Sequence, residues 1–183
     1  AVELLDSVVS TLCSDMGVPI ILIPGNHDGA ERLRFGSRQL RTAGLHIIGD
    51  LGEIENPVVI KAAGTEVAFY GIPYNDPETV RNQFAVELTG FDAAHSFLVE
   101  RIKAVKLAGR PAVLISHCFL EGGEESESER PLSIGGADRV SHLPCVDFDY
   151  VALGHLHGPQ YKGEEHIRYS GSILKYSFSE QHQ

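Results

Sequence analysis

The chain has 183 residues, 43% of them hydrophobic and 22% charged, which suffices for one domain with a full core. Its formal charge of -10 argues against a protein that coats nucleic acid through a broadly basic surface, and apolar runs such as Ile20–Ile23 are far too short to span a bilayer. Cys13, Cys118 and Cys145 are odd in number and form no CxxC, which speaks against a disulfide framework or zinc ribbon and for buried thiols in a reducing cytoplasm.

In chain order, Val2, Leu5, Val8, Val9 and Leu12 recur at helical spacing, and Gly17 closes that helix. Val18–Ile23 is a continuous apolar run, the pattern of a strand buried in an α/β sheet. A helix is predicted over Ala30–Ala43, with Gly36 as its weak point, followed by a short strand at His46–Ile48. Val58–Ala62 and Val67–Tyr70 form a hairpin through Gly64. Pro77 opens a helix to about Leu88, and Asp92 caps another whose stripe is Ala94, Leu98, Ile102 and Val105. Ala112–Ser116 reads as a buried strand, and the acidic, Gly-rich stretch from Cys118 to Leu143 as a loop with a short strand at Leu132–Ile134. Tyr150–Leu153 and Ile167–Ser170 complete the strands. Strands alternating with helices, plus a hairpin, predict an α/β fold: a mixed β-sheet sandwich flanked by helices, over one domain spanning 1–183.

Three strands end in polar clusters: "ILIPGNHD", "AVLISHC" and "DYVALGHLH". Functional groups collect beyond the carboxyl ends of strands because the rigid strand aims the side chains of the loop. The tips carry Asn26, His27 and Asp28, then His117, then His155 and His157. In an extended segment His155 and His157 point to one side. Histidine nitrogens with an amide oxygen suit manganese, iron or zinc and fit poorly with calcium or a thiolate zinc site. Two such ions roughly 3.5–4 Å apart serve in-line phosphoryl displacement. No carboxylate other than Asp28 stands at these tips to bridge them.

"GNHD", the "SH" after an apolar strand and "GHLH" resemble, in order, three motifs of the calcineurin-like metallophosphoesterases. The flanks "IPGNHDGAERLRFGSRQL", "SESERPLSIGGADRV", "FDYVALGHLHGPQ" and "IRYSGSILKYSFSE" narrow the resemblance to the SbcD family, the nuclease subunit of the SbcC–SbcD DNA repair complex. The resemblance implies that Asn26, His117 and His155 bind one metal ion and His157 the other. It places His27 against the scissile phosphate and gives Asp28 the task of holding the His27 imidazole. It also implies two divalent ions, manganese foremost, with DNA as substrate, an SbcC-like ATPase and a second copy as partners, and a cytoplasmic setting without a membrane.

The family's Asp-x-His and Gly-Asp-x-x-Asp motifs are not in this chain, whose one Gly-Asp pair, Gly49-Asp50, follows "GNHD" and lacks the second aspartate. The expectation is therefore an incomplete domain without its N-terminal strands, inactive by itself. Two alternatives stand beside the nuclease: a non-catalytic binding or scaffold module of a DNA repair complex, and a phosphoesterase acting on small phosphoesters. His46, His95, His142, His166 and His182 read as structural or surface residues, Cys118 as a packing residue, and the Ser126–Arg130 run as a solvated acidic loop with Arg130 a minor phosphate contact.

Overall fold

In the computed structural model, which describes residues 2–129 and 138–181, helix α1 (Val2–Ser10) widens into a looser turn over Thr11–Asp15. Gly17, at φ 65°, then releases the chain into β1 (Ile20–Leu22). The helix predicted over Ala30–Ala43 is broken into α2 (Ala30–Arg34) and α3 (Ser37–Leu40). The break is at Gly36, whose φ of 73° suits a residue without a Cβ. β2 (Leu45–Ile47) returns parallel to β1. The hairpin of β3 (Val58–Ala62) and β4 (Thr65–Ile72) turns at Gly64 as expected.

Asp76 caps α4 (Pro77–Phe84), its carboxylate accepting from Thr79 N. α5 (Gly90–Ala104) begins at Thr89 rather than at Asp92. Asp92 instead accepts from Ser141 N at 2.8 Å and ties the helix to a distant loop. β5 (Ala112–His117), β6 (Phe119–Leu120), β7 (Arg139–Val140), β8 (Tyr150–Gly154), β9 (Gln160–Lys162) and β10 (Glu164–Tyr169) follow. The strand expected at Leu132–Ile134 lies outside the described residues, as do Arg130 and His182.

Six strands form one mixed sheet in the order β3-β4-β5-β8-β10-β9, parallel from β4 to β10 and antiparallel at both edges. Alternation along β5 sorts its side chains: Ala112, Leu114 and Ser116 are buried, while Val113, Ile115 and His117 are half-buried. The buried face joins Ala68, Tyr70, Ile72, Val151, Leu153, Ile167 and Tyr169 with Leu98, Val99 and Ile102 of α5 in one core. On the opposite face the β1–β2 pair approaches at Gly71, where a Cβ would lie 2.8 Å from Ile48 Cδ1 and 3.1 Å from Ile23 Cγ2. The fold is thus α/β, a mixed sheet flanked by helices. One expectation changes: β1 is not a buried central strand, since it pairs with β2 alone among the described residues and is half-buried throughout.

His95 of α5 is buried, sharing a hydrogen bond of 3.1 Å with Ser116 Oγ on β5, while its Nδ1 finds no partner. Burial pushes its pKa down to about 4, partly opposed by Asp92. The unfolded chain, with an ordinary imidazole, takes up the proton first as pH falls. Stability from neutral His95 is therefore complete above pH 6.5 and is lost as pH drops towards 4, about 3 kcal/mol in all. The pKa values of His117 and His155 are lowered as well. Urea unfolding at pH 7 and pH 4 should therefore show a loss about 3 kcal/mol larger in the wild type than in His95→Gln; equal losses in both would refute it.

Candidate metal centre

Three strand ends meet at one edge of the fold. β1 runs into Pro24 and Gly25, β5 ends at His117, and β8 ends at Gly154, directly opposite His117 in the ladder. Tyr74 N donates to Pro24 O at 3.0 Å, tying the end of β4 to the same place. Asn26, His27, His117, Glu129, His155 and His157 all line an open cleft of about 400 Å³.

The His117 ring is the centre of the arrangement. Its Nε2 stands 3.0 Å from Asn26 Oδ1, and the ring stands edge-on to His155 at 5.4 Å and to Tyr74 at 6.1 Å. Two glycines make room for it. A Cβ on Gly25 would lie 2.6 Å from His117 Cε1, and one on Gly154 would lie 3.1 Å from Nδ1. Burial, with help from His155 and His27, pushes the His117 pKa down to about 4. Burial also lowers that of His155, partly opposed by Glu129 and Asp138. Both rings are therefore neutral near pH 7, with a lone pair to offer a cation.

"GHLH" is not extended as expected. His155 has a φ of 114°, a left-handed conformation that costs a non-glycine residue roughly 1–3 kcal/mol. The bend nevertheless leaves both histidines on the cleft while Leu156 between them is buried in the core. Asp28 also differs from expectation. Its carboxylate accepts from Gly25 N at 2.7 Å, closing the turn that carries Asn26, and makes no hydrogen bond to the His27 ring among the described residues. His27 is exposed at the mouth of the cleft.

The acidic loop read as solvated is so only in part. Glu121, Glu124, Glu125 and Glu127 face solvent, whereas Ser128 and Glu129 line the cleft. Glu129 accepts from the backbone N–H groups of His157 and of Ser126, the latter at 2.5 Å. Glu180, far along the chain, is buried behind His157. Neither glutamate was identifiable from spacing, and the only signal was that "SESER" and "KYSFSE" stood among the family-like flanks. Cys118 is buried in the core, where burial pushes its thiol up to about 12, as befits a packing residue; all three cysteines are free.

The donors suit a borderline divalent ion: two neutral imidazoles and an amide oxygen. The 3.0 Å between His117 Nε2 and Asn26 Oδ1 is the spacing of two ligands each about 2.1 Å from one ion and roughly at right angles. Among the described residues, no three histidine, cysteine, aspartate or glutamate side chains close on a single point. The residues present thus fit one ion in part and do not by themselves complete a two-ion cage.

Among curated proteins, the chain is similar to the SbcD subunit of the nuclease SbcCD of Staphylococcus epidermidis, with 38% identity over 184 residues that take in 100% of this chain and 48% of that protein. In sequence this chain is SbcD-like over its whole length. No protein-family model matches it. The SbcD-like chain spans about half the length of this curated relative. No helix among its described residues is long and apolar enough to cross a membrane.

Proposed function

We propose that the SbcD-like chain, residues 1–183, belongs to the nuclease domain of a metal-dependent DNA phosphodiesterase that works in double-strand break repair with an SbcC-like ATPase in the cytoplasm. The observation carrying this reading is the convergence of Asn26, His117 and His155 at three strand ends, with His27 on the same cleft. Divalent ions, manganese foremost, would neutralise charge at the phosphoryl oxygens and supply the nucleophile for in-line displacement. Asn26, His117 and His155 would hold one ion, and His157 would contribute to the second. His27 would carry the proton delivered to the departing sugar oxygen. Asp28 would act on His27 only indirectly, by fixing the turn that aims it. A second copy as partner is supported by apolar side chains on α1 left in solvent, Val2 at 82% and Leu5 at 52% exposure.

The test is cleavage of linear duplex DNA by the full-length gene product, with manganese and then with excess chelator. Cleavage that requires manganese is expected; no cleavage with any divalent ion would overturn the nuclease reading. The lack of three converging charged or imidazole donors among the described residues favours the scaffold module as the second reading. Calorimetric titration with manganese separates the two, since a scaffold without a centre binds none. Cleavage of small phosphoesters with duplex DNA left intact would instead favour the third alternative.

A further inference from the structure

The segment "KYSFSE" resembles the family's flanks, yet the proposed chemistry assigns it no task. In the structure Ser177 opens a short turn over Phe178–Glu180, its side chain accepting from Ser179 N. This turn drops the Glu180 carboxylate behind the cleft, 1% exposed. Three separate stretches of chain meet on it. Ser126 Oγ donates to Glu180 Oε1 at 2.7 Å, and Ser128 Oγ donates to the same oxygen. His157 Nδ1 stands 2.9 Å from Oε1, and Tyr176 N donates to Oε2 at 2.6 Å.

We propose that Glu180 is the positioning residue of His157, which it holds as the Nδ1–H tautomer so that the lone pair lies on Nε2. An ionised carboxylate only accepts hydrogen bonds, so a ring nitrogen 2.9 Å from it must carry the hydrogen. Ser128, 2.7 Å from the same Nδ1, cannot reverse this, because its single hydroxyl proton goes to Glu180. Ser126 and Ser128 donate to Oε1 and the Tyr176 backbone N–H to Oε2, so both carboxylate oxygens serve as acceptors. The Tyr176 ring, 5.0 Å from the His157 ring, and the Glu129 carboxylate on the His157 backbone N–H restrict the remaining rotation. Loop, bend and terminal turn are thereby joined around one imidazole. A carboxylate behind a ligating histidine fixes its tautomer and raises its basicity, and its loss typically costs about 10–100-fold in metal affinity.

This assignment rests on the reading of His157 as a metal ligand only for its consequence, not for the tautomer itself. The test is long-range proton–nitrogen NMR of the imidazoles in the metal-free protein, with the His157 signals assigned by His157→Gln. The wild type should show His157 protonated at Nδ1. Glu180→Ala should lose that preference, and Glu180→Gln, whose amide oxygen still accepts, should keep most of it. An Nε2–H ring in the wild type would overturn the proposal without recourse to any variant, as would an unchanged tautomer in a folded Glu180→Ala. Manganese titration then isolates the consequence: affinity should fall at least tenfold in Glu180→Ala and recover largely in Glu180→Gln. A shifted tautomer with unaltered manganese affinity would uphold the positioning role and overturn the reading of His157 as a ligand.

Discussion

His27→Ala is expected to lower the turnover of manganese-dependent DNA cleavage by the full-length protein by two to four orders of magnitude, about the contribution of one positioned proton donor. Manganese affinity and thermal stability should stay close to those of the wild type. The separation follows from where the ring sits. His27 is exposed at the cleft mouth, while the turn beneath it is closed by Asp28 and Gly25 through bonds that do not involve the imidazole. Truncation therefore removes the group proposed to face substrate and leaves the proposed ion donors Asn26 and His117 in place. Equal turnover in the two proteins would remove His27 from the chemistry. A matched loss of manganese binding would make it a ligand instead.

Gly25→Ala should cost the protein at least tenfold in manganese affinity, with a loss of stability of about 1–3 kcal/mol. The new methyl would sit 2.6 Å from His117 Cε1 and 2.9 Å from Nδ1, closer than real contacts allow. The ring has little freedom to yield, since Asn26 holds its Nε2 and the rings of His155 and Tyr74 stand against it. Either His117 leaves its place or the turn carrying Asn26 shifts, and both separate the 3.0 Å donor pair. Titration calorimetry and thermal unfolding report the two effects independently. Unchanged manganese affinity in a folded variant would show that His117 and Asn26 do not hold the ion together.

Local elements were legible where one residue decides the backbone. Gly64 turns a hairpin and Pro77 opens a helix, because these residues act through their own φ, whereas Gly36, the weak point of one expected helix, splits it in two. The cap assigned to Asp92 went astray for the opposite reason. Its carboxylate found Ser141 N, 49 positions away, which local pattern does not reveal. Asp28 differs at short range instead: its carboxylate accepts from the backbone N–H of Gly25, three positions away, in place of the expected His27 ring.

That three apolar strands end in amide and imidazole side chains is legible in the chain alone, because strand propensity, Gly turns and histidine chemistry are properties of adjacent residues. The same properties mark the candidate donors Asn26, His117, His155 and His157. How they are served depends on packing: two glycines vacate the space of the His117 ring, His155 bends out of the extended form, and Glu129 and Glu180 converge on His157. Those contacts join residues up to 92 positions apart, Gly25 and His117. They depend on which strand ends the sheet order brings together, and a carboxylate in an acidic run looks solvated until packing buries it.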